Sequence, residues 1–448
     1  RINTKYSLHI GEYIEHFDSL IELNTEYIFE NKIVEDGFRK ALKGNWGATA
    51  ETKRIGVLQE LNILSWFSKM SHLRKLNLAS NSSAKLVAPH LLHNSQWGKI
   101  DPVDTPDGGN IGFHKHMTVM AKITDSYSSF PMINWIKNNT TFRSFRDSDN
   151  LYRLTKIFVN GNWIGSLGDP VYDVKWMKLC RQNGIIPYQT SISFDITNNT
   201  VYIYTDSGRL CRPVYYVVNK KPSYVFVKEY NWDKLITGLV SKDDYNFLKV
   251  YGVDELYPNL KDLKKDEMVK YLKDNRCVVE YVDTAEEEMS LMAMKPSDIS
   301  KYNTHLEIDP SLTLGILGNS IIFPEHNQFP RDLFSCGQSK QAASIYNTNF
   351  NNRFDTSNVV LNNGQIPLIK SRYLKKISNE EHPYGENVIA AIMCYNGYNV
   401  EDSILFNEGS IKRGLFRTTY FNSYETFETS TKVQNTNTDS KITNIEKL

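Results

Sequence analysis

Apolar positions recur at helical spacing over two early stretches of the chain. Across residues 13–43, Ile14, Phe17, Leu20, Ile21 and Leu23 mark one face, and Lys40 and Lys43 ahead of Gly44-Asn45 form a stop signal. A second helix is predicted over about 50–76, with Ile55, Leu58, Leu61, Trp66, Met70 and Leu73 as its buried stripe. Its other side carries Lys53, Arg54, Lys69, Arg74 and Lys75. The period then breaks. Residues 90–123 hold Asp-Pro steps and closely spaced glycines, a rigid irregular path that leads into a predicted strand at 117–123.

Beyond a polar, loop-rich boundary at 124–150, residues 151–218 alternate in strand fashion. Strands at 157–159 and 163–164 flank Asn160-Gly161, a hairpin signal. Residues 201–204 and 213–218, separated by Asp206-Ser207-Gly208, are expected to form another strand pair. Residues 231–275 read as helical, charged and superficial, and 283–294 as a helix whose leading carboxylates cap it. Between 305 and 421, Gly, Pro, Asn, Gln and Arg separate short apolar runs. Amides and guanidinium groups are costly to bury without partners, so this region is expected to line a polar, ligand-filled channel. Within it, 388–394 (VIAAIMC) reads as a buried strand that turns at Gly397 and presents Glu401-Asp402. Adjacent carboxylates suit a divalent cation and phosphates; read alone, they also describe a surface pair after a turn, or a helix-start Asp-Ser.

Composition narrows the classes. The chain has 448 residues, 40% hydrophobic and 23% charged, with net charge +1, as expected of several soluble, well-cored domains. No apolar run approaches the roughly 20 residues needed to cross a bilayer. Cys180, Cys211, Cys277, Cys336 and Cys394 are scattered, which argues for a reducing compartment and against disulfides or zinc. His90/His93 and His114/His116 have no metal-ligand spacing to a cysteine or carboxylate. Neutrality overall hides a local excess: residues 41–100 contain eight Lys/Arg against two Glu. That excess fits a nucleic-acid backbone, or simply a solvated helix face.

Seven blocks in order carry a family resemblance: GNWG at 44–47 with GVLQELN at 56–62, SHLRKLN at 71–77, LHNSQWGKIDPVDTPDG at 92–108, TDSGRLCRPVY at 205–215, HLEIDPS and FPEHNQFPR within 305–331, GQSKQA at 337–342, and GYNVEDSILFN with RGLF within 397–416. The chain resembles the second-largest (β-like) subunits of multisubunit DNA-directed RNA polymerases, in the eukaryotic, archaeal and large-DNA-virus wording. Asp104 and Asp107 stand where that family usually has Glu, and Cys336-Gly337-Gln338-Ser339 and Ala343-Ser344 also depart from it. The Gly/Lys-rich hybrid-contacting segment and the zinc-binding clamp end are not found, so the chain reads as the middle of such a subunit.

The resemblance implies a mixed α/β (α+β), multidomain fold. It would comprise the end of a protrusion-like region (1–40), a fork region (41–125), two external regions (151–218 and 231–294) and the start of a hybrid-binding region (295–448) with a β-rich, barrel-like core. The activity implied is DNA-templated RNA synthesis from NTPs, together with the largest subunit and other polymerase subunits and with no membrane partner. By the same resemblance Arg331 contacts the triphosphate, and Gln341 touches the RNA near its growing end. Lys340, Arg74, Lys75, Lys53 and Arg54 are the further nucleic-acid contacts. Glu401 and Asp402 serve a second, nucleotide-borne Mg2+ shared with the largest subunit, Asp402 nearer the metal because neighbours on an extended backbone point to opposite sides. No D-x-D-G-D triad is present, so this chain alone is expected to be inert. The alternative is a catalytically inactive nucleic-acid-binding paralogue or scaffold subunit. The expected location is intracellular, with nucleus, cytoplasm and viral factory left open.

Overall fold

The computed structural model describes residues 32–42, 59–77, 87–146, 153–226, 234–240, 250, 265–433, 436–440 and 442. They fall into two units, residues 1–62 and 63–448. In the first, helix α1 (Lys32–Leu42) carries an Arg39–Glu35 pair one turn apart at 2.6 Å. The rest of the predicted 13–43 helix lies outside the described residues, as do Lys53 and Arg54.

In the second unit, helix α2 (Trp66–Leu73) starts far later than the apolar spacing suggested. Ser65 sets the start: its backbone is extended and its Oγ accepts from the Ser68 N–H at 3.0 Å. Trp66 and Phe67 then bury against Val103, Leu317, Cys336 and Leu374. The helix ends at Leu73, so Arg74 caps it and Lys75 enters strand β1 (Lys75–Asn77), antiparallel to β2 (His114–His116). The predicted strand at 117–123 is broken, with only β3 (Lys122–Ile123) regular. Arg74 Nη2 donates to the carbonyls of Thr118 (2.5 Å), Val119 (3.3 Å) and Ala121 (3.3 Å), which an unbroken ladder would have used.

Strands β4 (Phe142–Arg143), β5 (Thr155–Val159), β6 (Asn162–Leu167), β7 (Ser191–Asp195) and β8 (Thr200–Tyr204) form a five-stranded sheet in the order β4-β6-β5-β8-β7. The β5–β6 hairpin forms as predicted, because Asn160 (φ 48) and Gly161 (φ 81) supply the two left-handed residues its turn requires. One face of the sheet buries Ile157, Val159, Leu167, Ile192, Val201 and Ile203 against helices α3 (Ser129–Asn139) and α4 (Pro170–Gln182).

Strand β9 (Leu210–Val218) organises a second sheet, pairing with β3, β10 (Lys221–Pro222), β11 (Val279–Asp283) and β13 (His305–Leu306); β12 (Met292–Ala293) runs parallel to β13. So β8 and β9, expected to pair with each other, lie in different sheets. The crossover is pinned to other elements instead: Thr205 N–H donates to Asn160 Oδ1 (2.8 Å), and Arg209 Nη1 to Asp283 Oδ2 (2.8 Å). Helix α5 (Lys265–Asp274) is less superficial than its charge implied, since Leu272 is fully buried in the first core.

Two buried charge clusters lie around the second sheet, and one of them reaches it from α4. Asp283 caps α6 (Thr284–Glu288) as expected, accepting from Glu286 N–H at 3.0 Å, but the helix stops well short of the expected 294, where β12 intervenes, and Glu286 and Glu287 turn inward. Buried Arg181 holds Glu286 (2.6 and 2.8 Å) and Glu280 (3.4 Å), and His305 meets Glu280 at 3.3 Å. Buried Arg212 holds Glu307 (2.6 and 2.7 Å) and Glu287 (2.7 Å), with Lys99 also on Glu287. Gly98 (φ +64) makes room for this, because a Cβ there would lie 2.4 Å from the Arg212 guanidinium. Burial alone would raise the carboxyls of Glu280 and Glu286, yet the Arg181 charge holds both well below the usual range.

The C-terminal part holds helices α7 (Phe329–Ser339), α8 (Leu374–Ser378) and α9 (Glu408–Lys412), and the strand pairs β14 (Ser357–Leu361)–β15 (Thr418–Asn422) and β16 (Thr429–Val433)–β17 (Thr436–Ser440). The barrel-like core expected here is not formed: the described residues contain no closed barrel. The buried strand expected at 388–394 is also absent, and Ile389 and Ile392 are fully exposed. An apolar run becomes a core strand only against a facing element, and none packs on it among the described residues.

Arg181→Ala removes the buried guanidinium shared by Glu280 and Glu286, leaving Glu286 only the partly exposed Lys178, and should destabilise the fold by about 3–5 kcal/mol. Urea unfolding checks this, and a loss below about 1 kcal/mol contradicts it.

Candidate nucleic-acid and nucleotide interface

The site is built on α7 and the loop that receives it. Pro330 sits in the first turn of α7, where a missing N–H does no harm. Asp332, Leu333 and Cys336 face inward, and Asn327 Nδ2 donates to Asp332 Oδ1 at 3.1 Å. That leaves Arg331 on the exposed side, its guanidinium carbon 5.9 Å from the Phe334 ring centroid and, among the described residues, paired with no carboxylate. Gln341, two residues past the helix, is also exposed.

Lys340 caps the same helix but turns inward. Its Nζ meets Asp104 Oδ1 at 2.7 Å, and Asp104 is only 3% exposed. His116 Nδ1 (3.3 Å) and Ser71 Oγ (3.4 Å) approach the other carboxylate oxygen. The buried Ser65 hydroxyl donates to the Lys340 carbonyl at 2.9 Å, so the cap of α2 also holds the end of α7. Lys75, exposed on β1, belongs to this cluster: burial and then the Lys340 charge lower its pKa, while Asp104 opposes them. His114 is lowered by burial, Lys75 and Lys340. A positive cluster thus surrounds one buried carboxylate. Arg74 is placed elsewhere, with its guanidinium on backbone carbonyls and its Nε buried without a partner. It also lines a cavity of about 660 Å³ with Trp66, Met70, Ile316 and Tyr373, which neither Arg331 nor Gln341 reaches.

Glu401 and Asp402 occupy a turn rather than the end of a strand. Asn399 ties it, accepting from Tyr395 N–H (3.0 Å) and donating to the Met393 carbonyl (2.6 Å). Gly397 (φ 78) reverses the chain, and Glu401 itself is left-handed (φ 59). The alternation argument for which carboxylate faces a metal therefore does not apply here. Both side chains are exposed, and neither has an ion-pair partner among the described residues. Among those residues no group of three or more His, Cys, Asp or Glu is disposed to hold a metal. Two hard oxygen donors fit a magnesium ion that takes its other ligands from phosphates, water or another chain, not a cage of this chain's own.

Spacing alone did not single out Asp104 or Asp101. The Asp-x-Pro-rich loop was the available signal, since a rigid Pro/Gly path is what holds carboxylates in the interior. Asp101 is 3% exposed; its Oδ1 accepts from Val103 N–H (3.1 Å), and its Oδ2 has no hydrogen-bond partner. Gly315 lets the loop seat, because a Cβ there would lie 2.5 Å from that oxygen. Burial, and then the charge of Asp104, push the Asp101 carboxyl up to about 7.

Comparison with known proteins gives these features a family. Models of RNA polymerase Rpb2 match in chain order: domain 3 over residues 57–123, domain 4 over 157–218 and domain 6 over 317–448. Together they take in more than half of the chain. It belongs to the Rpb2 family, the second-largest subunits of DNA-directed RNA polymerases. It is 36% identical over 418 residues to the RNA polymerase II subunit RPB2 of Encephalitozoon cuniculi, covering 90% of this chain and 34% of that protein. It is 35% identical over 417 residues to RNA polymerase II subunit 2 of Arabidopsis thaliana, covering 90% and 33%. To subunit Rpo2 of Sulfolobus acidocaldarius it is 32% identical over 409 residues, covering 88% and 33%. The chain thus spans about a third of the length of these relatives. No helix among the described residues is long and apolar enough to cross a membrane, and all five cysteines are unpaired.

An acid raised on folding keeps its proton in the folded state while the unfolded chain has lost it. Asp101 therefore lowers stability progressively as pH rises from its ordinary 3.8 to about 7, and uniformly above that. Asp101→Asn should gain on the wild type across that window, by up to roughly 4 kcal/mol. Chemical unfolding at about pH 5 and about pH 8 reads the difference, and an equal offset at both contradicts it.

Proposed function

We propose that this chain is the central part of a second-largest RNA polymerase subunit, working in DNA-templated RNA synthesis with a largest subunit and the other polymerase chains. The observation that carries the reading is the sorting of cations around α7. Lys340 is neutralised by Asp104, whereas Arg331, nine residues earlier on the same element, is exposed with no carboxylate beside it among the described residues. A free guanidinium on a helix held from behind suits a triphosphate, because its planar fork takes phosphate oxygens bidentately and stays charged. Gln341, close behind, offers a neutral amide to the RNA near its growing end. Lys75, exposed on β1, supplies positive potential for nucleic-acid phosphates, and Lys340, Lys53, Arg54 and Arg74 are kept as candidate contacts by resemblance.

Asp402 and Glu401 would serve a magnesium ion that arrives with the nucleotide and is shared with the largest subunit. Such an ion, when bound, screens phosphate charge and favours departure of pyrophosphate. This chain's part is to hold two unpaired carboxylates on a turn fixed by Asn399. The exposed apolar residues of 388–406, among them Ile389, Ile392 and Ile404, also suit a chain seated within a larger assembly. An inactive paralogue would be expected to lose these side chains, yet Arg331, Gln341, Glu401 and Asp402 are all present.

In a reconstituted polymerase, Arg331→Ala should raise the apparent KM for nucleotide and lower kcat/KM by roughly 10- to 150-fold, the scale of one lost charged hydrogen bond. Unchanged single-nucleotide addition kinetics reject the role. Asp402→Ala should shift the magnesium dependence of addition while leaving scaffold binding intact. An identical magnesium titration for variant and wild type removes the metal assignment.

A further inference from the structure

Helices α3 and α4 cover one face of the five-stranded sheet; the other carries aromatic rings on β5, β6 and β8, and at its β7 edge the buried Ser191 donates to Asp283 Oδ1 at 2.6 Å. A β-bulge between Ile157 and Phe158 shifts the β5–β6 register, so Ile164 packs toward the core while Trp163 comes opposite Phe158 on the outer face. Tyr202 is the direct partner of Phe158 on β8. Trp163, Phe158, Tyr202 and Tyr204 form a continuous ladder with centroid separations of 6.3, 5.5 and 6.4 Å and interplanar angles of only 26°, 26° and 6°. Phe145 closes that end edge-on, its ring 4.9 Å from Trp163 at 89°. Trp163 and Phe145 are 41% and 45% exposed, and Phe158, Tyr202 and Tyr204 are half-buried.

One rung along the strands lies a second row. Arg143 stands opposite Ser166, Ser166 opposite Lys156, and Lys156 opposite Thr200. Two residues of strand separate the rows, roughly 6.6 Å. Lys156 Nζ lies 5.5 Å from the Trp163 ring centroid and has no ion-pair partner among the described residues. Asp195, at the far edge of that row, is engaged by Asn198 at 2.6 and 3.1 Å. At the other end Arg209, 5.9 Å from the Tyr204 ring, is bound to Asp206 and Asp283.

Cross-strand aromatic pairs alone can stabilise a sheet. That role does not call for a parallel ladder on the open face when the opposite face already holds the core. Nearly parallel rings on the central strands of a helix-backed sheet, with two cations, Arg143 and Lys156, one rung away, match what a single-stranded nucleic acid needs: π faces for bases and positive charge for the phosphates beside them. We propose that this outer face binds single-stranded RNA or DNA, at a surface separate from the α7 interface.

The test uses the full-length chain in its native assembly, with the main cleft saturated by a DNA–RNA scaffold. Oligouridine carrying 4-thiouridine and oligothymidine carrying 4-thiothymidine are added as separate probes, irradiated, and the cross-linked peptides sequenced. Cross-links to the peptides holding Phe158, Trp163 or Tyr202 are expected, and the probe that forms them tells RNA from DNA. Trp163→Ala and Phe158→Ala should each weaken second-site binding by about tenfold, the scale of one lost base-stacking contact. Lys156→Glu, which keeps the rings, should weaken it and flatten its salt dependence. Nucleotide addition on the scaffold should be unchanged in all of them, so this proposal and the polymerase reading can fail separately. The proposal is overturned if neither probe cross-links to these strands, if the variants bind as the wild type does, or if p-benzoylphenylalanine in place of Phe158 captures another polypeptide of the assembly. An adventitious stack on bare rings would survive Lys156→Glu unaltered, and that result overturns it too.

Discussion

The ion pair between Asp104 and Lys340 is the contact on which the polar end of the molecule depends. It joins the Pro/Gly-rich loop around residue 104 to the last turn of α7 at 2.7 Å, from inside a nearly dry site. A carboxylate there would be untenable without a cation and hydrogen-bond donors, and His116 and Ser71 complete its surroundings. With Lys340 drawn inward, the exposed cation of the helix is Arg331. In this way an interior charge decides which positive group is left for a ligand.

In a second set of interior charges, Arg181 ties the helix behind the first sheet to the second, and Arg212 ties elements of the second sheet together. Arg181 and Arg212 reach from the α4 and β9 elements to carboxylates on β11, α6 and the segment after β13. Such groups add little net stability over a well-packed apolar substitute, but they tolerate few alternative arrangements once buried. Gly98 shows how closely the backbone is fitted around one of them.

The sequence was most legible where a local rule decided the outcome. Asn160-Gly161 requires a left-handed turn, and the hairpin follows from it. Asp283 caps α6 because an Asp ahead of a run of acidic residues has few better conformations. It was least legible where a distant partner decided. Residues 201–204 and 213–218 look like a hairpin, but Asn160, Thr124 and Asp283 bind the intervening turn and send the strands into separate sheets. Residues 388–394 have the composition of a core strand and lack a facing element among the described residues. Of the candidate site, Arg331, Gln341 and the Glu401-Asp402 pair were named from order and wording, and the structure adds that all four are exposed. The roles of Asp104 and Arg74 were not, since both depend on carbonyls or cations tens to hundreds of residues away, and the outer aromatic face needed the bulge in β5–β6 to be seen.

The proposed function makes the arrangement intelligible: a chain contributing to a pocket shared with another polypeptide would need its contributing side chains exposed and its supports buried. The most direct test of that division is a double-mutant cycle on the supporting contact. Asp104→Asn and Lys340→Met, made singly and together and followed by urea unfolding, should show a coupling of at least about 1 kcal/mol. Additivity to within about 0.5 kcal/mol would mean that the loop and the helix are held independently, and the account of how Arg331 comes to face outward would be wrong.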